Sequence, residues 1–266
     1  MTPLHYLSVA RFDGLEAGSF LQTQLSADIA ALSPGDSTFA CYCSPRGQVL
    51  GLLLVCREDD HFLVAADSGL LPGILTRLKM FVLRAKVEFS ELPEWRICGD
   101  TGDEEQSTRD VYQPAGSSLR YRFVQKATRD DEGESGFRAQ EIVHRVVWLG
   151  EETREKFIPQ MLGFEQLGAV SFSKGCYPGQ EIVARARYLG KVKRGPLILK
   201  LDTNLVISAA QQAELRRGDD WLKGTVIDSV ITEDGGTLLF MVAPAEPAIE
   251  TTELRIENQA YRCATI

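Results

Sequence analysis

The sequence is poor in the residues and runs on which several common kinds of site depend. It has only three histidines, His5, His61 and His144, which are isolated from one another and form neither a metal-ligand pattern nor a hydrolase triad. The longest apolar run, residues 49–56, is far too short to cross a bilayer. The first residues carry no basic stretch followed by an apolar one, so we expect no signal peptide and no membrane association.

An excess of positive charge is also missing. Against 29 Lys and Arg the chain has 37 Asp and Glu, and its formal net charge of -8 argues against broad electrostatic attraction to nucleic acid. One local cationic run stands out and is a candidate for weak tRNA contact, with a solvated surface as the alternative. It comprises Arg185, Arg187, Lys191, Lys193 and Arg194.

The six cysteines are scattered through 266 residues and do not form a disulfide framework, so we expect a reducing, cytoplasmic location. Cys41 and Cys43 form a C-x-C pair, but no second pair at metal spacing accompanies them. We therefore expect both to be small buried residues rather than metal ligands.

Hydrophobic periodicity predicts an α+β chain of three parts. In residues 1–90, strands at 4–12, 38–43, 48–56, 61–66 and 85–89 and helices at 16–29 and 70–81 suggest a ferredoxin-like unit. Residues 91–194 are a second α+β part, with strands at 95–98 and 119–124, a charged linker at 129–135 and a helix at 137–149. Short apolar runs separated by turns in residues 195–266 predict a small antiparallel barrel or sandwich.

The stretch KGCYPGQE, residues 174–181, is the most distinctive in the chain. Pro178 and Gly179 favour a type II turn, because proline presets φ at the second position and glycine accepts the positive φ of the third. The next residues, 180–189, predict a helix with Ile182, Val183, Ala186 and Leu189 on one apolar face. Cys176 then lies close to a helix N-terminus with Lys174 nearby, and both features favour a thiolate.

The segment KGCYPGQEIVARARYLGKVKR resembles the signature of the YgfZ family, part of the aminomethyltransferase (glycine-cleavage T-protein) superfamily. The preceding FIPQMLGFEQLGAVSF resembles that family's lead-in, and FLQTQLSAD and CYCSPRGQVLG resemble its N-terminal segments. The resemblance implies ferredoxin-like folate-binding halves, a C-terminal β-barrel, and tetrahydrofolate or a one-carbon derivative as ligand. It further implies a role in assembling or repairing iron–sulfur clusters, in enzymes that include those that modify tRNA.

The chain departs from the transferases of this superfamily on its first hairpin. Transferases typically carry carboxylates there, whereas this sequence has Gly51 and Leu52, which cannot hold a proton or stabilise a cationic iminium. We therefore do not expect a classical aminomethyltransferase. The leading hypothesis is a folate-binding accessory factor acting on iron–sulfur enzymes or assembly proteins. The alternatives are a folate-dependent aminomethyl or one-carbon transferase and a tRNA- or protein-docking module.

Cys176 is the expected key residue, as a redox or sulfur-handling thiol, with a buried structural cysteine as the alternative. A stable metal site is not expected, because clusters usually need about four protein thiolates at recognisable spacing. Lys174 joins Cys176 as a catalytic candidate. The other motif candidates are Gly175, Tyr177, Gly179, Gln180, Glu181 and Arg185, each of which also has an ordinary structural interpretation. The candidates for contacting folate are Asp28, Arg46 and Glu141.

Overall fold

The computed structural model describes residues 1–100, 111–114, 117–125, 133–190, 192–245 and 252–266. Three parts of the sequence lie outside the described residues. They are Lys191, some of the predicted linker at 129–135, and some of the polar stretch that precedes the strand at 119–124. In the part of the chain that is described, no helix is long and apolar enough to cross a membrane.

The first sheet confirms the predicted meander of strands. Its members are β2 (Leu7–Asp13), β3 (Ser37–Cys43), β4 (Val49–Arg57), β5 (His61–Asp67) and β6 (Glu88–Glu91), and they pair in the order β3-β4-β5-β2-β6. Neighbouring strands are antiparallel. The strand predicted at 85–89 is displaced, because Ala85 closes a turn with Val82 and the ladder with β2 begins only at Glu88.

Two helices pack against this sheet. The second, α2 (Leu71–Val82), buries Leu71, Ile74, Leu75 and Leu78, as its periodicity predicts. The first, α1 (Ala17–Gln24), is shorter than the predicted 16–29. It ends because Leu25 is extended, with φ -108° and ψ 156°, and forms a bridge to Tyr42. A separate 3₁₀ turn, Ile29–Ala31, follows.

The second sheet contains β1 (Thr2–Pro3), β7 (Trp95–Asp100), β8 (Val111–Tyr112) and β9 (Arg120–Gln125), in the order β1-β7-β9-β8. Helix α3 (Glu134–Val143) contacts β1. Because α3 ends at Val143, the helix predicted at 137–149 was too long. Arg145 has a φ of 62°, outside the helical region, and residues 146–149 continue as irregular backbone with all four side chains buried.

The C-terminal strands form a closed barrel, which confirms that prediction and excludes the sandwich. They are β10 (Arg194–Leu201), β11 (Gln212–Arg217), β12 (Asp220–Ile231), β13 (Thr237–Pro244), β14 (Glu253–Ile256) and β15 (Gln259–Thr265), in the order β10-β13-β12-β11-β14-β15. Pairing of β10 with β15 closes the ring. Strand β11 was not predicted, since only Ala213 and Leu215 of its six residues are buried. Helix α3 also packs on this barrel.

Candidate functional site

The turn that carries Cys176 has the predicted geometry. The backbone N–H of Gln180 donates to the Tyr177 carbonyl over 3.2 Å, and Gly179 has φ 81° and ψ 0°, as a type II turn requires. Helix α4 (Gln180–Tyr188) begins directly after it. Cys176 is exposed, whereas the other five cysteines are buried. The structure therefore presents this one thiol to solvent.

The turn packs backbone to backbone on the first hairpin. A Cβ atom at Gly179 would lie 2.4 Å from the Ser44 carbonyl oxygen and 2.6 Å from Gly47 Cα. Gly47 has a φ of 73°, and its own Cβ would lie 3.0 Å from Cβ of Ile182. Because neither position has room for a side chain, the two glycines let the segments approach. The exposed Arg46, at the hairpin tip, is thereby brought beside the Cys176 turn.

Lys174 fastens the same turn to the end of α1. Its buried Nζ donates hydrogen bonds to the carbonyl oxygens of Gln22 and Leu25, which the helix end leaves open. Burial lowers the pKa of Lys174 to about 8, and the charge of nearby Asp28 opposes that shift. These contacts give Lys174 an anchoring role, and they place Asp28 close to the turn.

Tyr177 is buried, and its hydroxyl has no hydrogen-bond partner among the described residues. Burial raises the pKa of this phenol, and the neighbouring thiols of Cys43 and Cys41 raise it further. Gln24 Oε1 and Ser44 Oγ are also buried without a partner in the described part of the chain. Buried polar atoms are rarely left unpaired, so three of them on segments that meet at this turn need an explanation.

Glu141, on α3, has hydrogen-bond partners for both of its carboxylate oxygens. Its Oε2 accepts from the Tyr6 hydroxyl at 2.5 Å, and its Oε1 accepts from the Tyr121 hydroxyl at 2.8 Å and from Trp148 Nε1 at 2.9 Å. Burial raises the pKa of Glu141 to about 7, against the opposing effect of these three donors. The carboxyl is thus enclosed and already hydrogen-bonded by the protein.

One further contact links this cluster to the barrel. Arg138 lies 5.1 Å from the centre of the Tyr6 ring, and its guanidinium donates two hydrogen bonds to Asp228 of β12, of 2.5 and 3.1 Å. None of these partners is adjacent to Glu141 in sequence; Tyr6 is 135 residues away. Sequence patterns carried no signal for the cluster.

Strand β3 contacts both the Glu141 cluster and the Cys176 turn. Phe39 makes edge contacts with the rings of Tyr121 and Trp148, at 5.9 and 6.0 Å between centroids. Cys41 and Cys43 follow at two-residue spacing on the same strand and neighbour Tyr177. The Glu141 cluster and the Cys176 turn therefore contact different residues of β3: Phe39 in the first case, and Cys41 and Cys43 in the second.

The remaining motif residues lie on or next to α4. Gly175 has open space around it, Gln180 is half-buried, and Glu181 and Arg185 are exposed. The predicted apolar face is wrong in part. Val183 is buried, but Ile182 is 41% and Leu189 84% exposed.

The cationic run is divided by the fold. Arg187 forms an ion pair with Glu165, and its guanidinium lies 4.1 Å from the Phe172 ring centre. Arg194 belongs to β10 and donates to the Val242 carbonyl at 2.9 Å. Arg185 and Lys193 are exposed. The run is therefore a weaker basic surface than its sequence indicates.

The hairpin positions that distinguish this chain from transferases are buried. Gly51 pairs with Tyr42, and a Cβ there would lie 2.8 Å from Ile74 Cδ1 of α2. Leu52 is 1% exposed and pairs with Cys41. Among the described residues, no group of three or more His, Cys, Asp or Glu side chains is arranged to hold a metal.

The chain is similar to known proteins in sequence and in fold. No family model matches the chain. It is 25% identical over 274 residues to the tRNA-modifying protein YgfZ of Aliivibrio fischeri, covering 93% of this chain and 86% of the relative. It is 27% identical over 268 residues to the protein of that name from an Enterobacter strain, covering 88% and 82%. Over most of its length, the chain is therefore similar to YgfZ proteins.

One further relative and one solved structure are also similar to this chain. An uncharacterized protein of Haemophilus influenzae is 29% identical over 227 residues, covering 84% of this chain and 81% of the relative. The crystal structure of the glycine cleavage system aminomethyltransferase T from Bartonella henselae superposes with a TM-score of 0.72 at 15% identity, over 99% of this chain and 84% of that one. This chain therefore has the aminomethyltransferase fold, as its sequence resemblance implied.

Proposed function

We propose that this protein is a tetrahydrofolate-binding accessory factor that supports iron–sulfur enzymes, including those that modify tRNA. The observation that carries the proposal is the exposed Cys176 thiol on a rigidly anchored turn, in a chain whose relatives are named tRNA-modifying proteins. Lys174 and Gly179 hold the turn on two different segments, so the thiol is positioned and not merely exposed. Its proposed role is redox or sulfur handling during cluster assembly or repair.

The polar groups around the turn support the proposed folate site. The pterin ring carries both donors and acceptors, and the unpartnered Tyr177 hydroxyl, Gln24 Oε1 and Ser44 Oγ offer matching groups. Arg46, exposed on the adjoining hairpin, suits the carboxylates of the glutamate tail. Asp28 lies near Lys174 on the same side. When bound, tetrahydrofolate supplies a carrier for one-carbon groups.

In this proposal Glu141 is a less favourable folate contact than its sequence position suggested. Both of its oxygens accept hydrogen bonds from the protein, so a pterin must share Oε2 with Tyr6 or displace it. Aminomethyl transfer is disfavoured as the function, because Gly51 and Leu52 provide no base and both are buried.

The proposal is tested by complementation in a strain lacking its own family member, scored by methylthiolation of tRNA. We expect the unchanged chain to restore the modification and Cys176→Ala to fail, whereas Ser173→Ala, an exposed neighbour, succeeds. Full restoration by Cys176→Ala contradicts the thiol mechanism. Separately, tetrahydrofolate should raise the melting temperature in a saturable way, and no shift at millimolar ligand contradicts folate binding.

A further inference from the structure

The side chain of Gln160 binds the helix that follows the Cys176 turn. Gln160 lies in a 3₁₀ turn, Pro159–Leu162, and α4 packs more on this turn than on any other helix or strand that the structure describes. The Gln160 amide donates a hydrogen bond from Nε2 to the Val183 carbonyl oxygen over 2.9 Å. Val183 is buried in the first turn of α4, so this hydrogen bond holds the end of the helix nearest to Cys176.

The orientation of the Gln160 amide follows from its surroundings. A backbone carbonyl only accepts hydrogen bonds, so the nitrogen of the amide and not its oxygen must face Val183. Gln160 Oε1 is then buried without a partner among the described residues. An unpaired buried acceptor costs about 1–3 kcal/mol, which an apolar side chain of the same length would avoid. Stability alone therefore does not account for a glutamine at this position.

The turn that carries Gln160 is itself held by two parts of the protein. Just before the turn, the Phe157 carbonyl accepts from the backbone N–H of Val49, on β4, over 2.8 Å. Just after it, Gly163 has a φ of 76°, and a Cβ atom there would lie 3.1 Å from Cγ of Pro196, on β10. The first sheet and the barrel thus both support the turn from which Gln160 reaches α4.

The first hairpin restrains the start of α4 in a different way. Gly179 lies against Ser44, and Ile182 packs against Gly47. These packing contacts are non-directional, whereas a hydrogen bond weakens steeply when its angle departs from linearity. The hairpin therefore fixes how closely the helix approaches, and the Gln160 hydrogen bond fixes how the helix is oriented.

We propose that Gln160 is a positioning residue for Cys176. Its hydrogen bond orients the first turn of α4, and the type II turn at residues 177–180, closed by its own hydrogen bond, carries that orientation to the adjoining thiol. A misplacement of about 1 Å at a reacting group can slow a reaction about 100-fold, so this restraint matters for chemistry at the thiol. The inference rests on the proposed function only in treating Cys176 as the reacting group.

Spin labelling of the full-length protein tests the positioning. A nitroxide label goes selectively to Cys176, because the other five cysteines are buried. In Gln160→Met, which keeps the side-chain length but loses the donor, we expect the rotational correlation time of the label to fall at least twofold. Gln166→Met, an exposed glutamine of the same segment, is the matched control and should leave the spectrum unchanged. An unchanged spectrum in Gln160→Met overturns the proposal.

A second variant and the melting temperature separate the hydrogen bond from general loosening. Gln160→Glu keeps the shape of glutamine but, ionised at pH 8, has no donor, so it should free the label at least as much as Gln160→Met. An unchanged label in Gln160→Glu contradicts the role of the donor. We expect Gln160→Met to melt within about 4 °C of the unchanged protein, because it loses the hydrogen bond and the unpaired acceptor together. A larger fall would attribute the mobility to general instability and overturns the proposal.

Complementation relates the positioning to function. We expect Gln160→Met to lower tRNA methylthiolation at least tenfold, whereas Gln166→Met retains it. If Gln160→Met keeps full activity while Cys176→Ala loses it, the proposed thiol function stands and the positioning by Gln160 is overturned. If Cys176→Ala keeps full activity, the proposed thiol function fails, and the spin-label spectrum still decides whether Gln160 positions the turn.

Discussion

The Glu141 cluster and the Cys176 turn both neighbour strand β3, and they differ in how completely the protein provides hydrogen-bond partners for their polar groups. Glu141 receives three hydrogen bonds inside the core. At the turn, Tyr177, Gln24 and Ser44 each leave a buried atom unpartnered, and Cys176 faces solvent. A complete network stabilises the fold, whereas buried polar atoms without a protein partner are candidate positions for a bound water or ligand.

Removing Glu141, the acceptor at the centre of the complete network, should lower the stability of the protein more than the other substitutions below. Glu141→Ala deprives three buried donors of their acceptor and leaves a cavity, so we expect the free energy of unfolding to fall by about 3–5 kcal/mol. Urea denaturation followed by circular dichroism measures it. Val143→Ala, on the exposed side of α3, is the control. A loss below about 1 kcal/mol would show that the cluster is not a stabilising unit.

The same carboxyl should make stability depend on pH. Its pKa of about 7 in the folded protein lies above the ordinary value of 4.5, so the folded state holds the proton more tightly. This contribution to stability is fully present below pH 4.5 and is lost as pH rises through about 7, by roughly 3 kcal/mol in all.

The neighbouring Asp228, whose pKa is also raised by burial, contributes a slope of its own. The difference between the unchanged protein and Glu141→Gln, measured from pH 4 to 8, is therefore the readout. Identical slopes in the two proteins would exclude Glu141 as their source.

At the Cys176 turn, the backbone approach should matter more than any single side chain. Gly179→Ala places a methyl group 2.4 Å from the Ser44 carbonyl oxygen at a positive φ, and we expect a loss of about 2 kcal/mol. Gly175→Ala, which meets nothing within 4 Å, should change stability by less than about 0.5 kcal/mol. Equal losses in thermal unfolding would mean that the close contact with the hairpin is unimportant.

The smallest effect gives the sharpest contrast between the two regions. Tyr121→Phe removes a donor to Glu141 and should cost about 1–2 kcal/mol. Tyr177→Phe removes a hydroxyl that has no partner, and stability should stay within about 0.5 kcal/mol. If that hydroxyl contacts the ligand, Tyr177→Phe should still weaken tetrahydrofolate binding in a calorimetric titration. Unchanged affinity would remove Tyr177 from the folate site.

The predictable parts of this protein are those that local chemistry controls. The type II turn at Tyr177–Gln180 depends on the φ values available to Pro178 and Gly179, and it formed as expected. The end of α1 was misjudged because Leu25 pairs with Tyr42, seventeen residues later, which no helical periodicity reveals. Helix α3 was extended too far because the buried residues 146–149 are apolar without being helical.

The sequence by itself determined the resemblance to the YgfZ family, the Cys176 motif, the absence of transferase carboxylates and all the barrel strands but β11, since each depends on residue identity or short-range periodicity. Only the tertiary structure decided which polar groups are satisfied. It brought Tyr6, Tyr121 and Trp148 to Glu141, placed Gly179 on Ser44, and left Ile182 and Leu189 uncovered. Hydrogen bonding and burial depend on neighbours far away in the chain, and those neighbours are known only once the chain is folded.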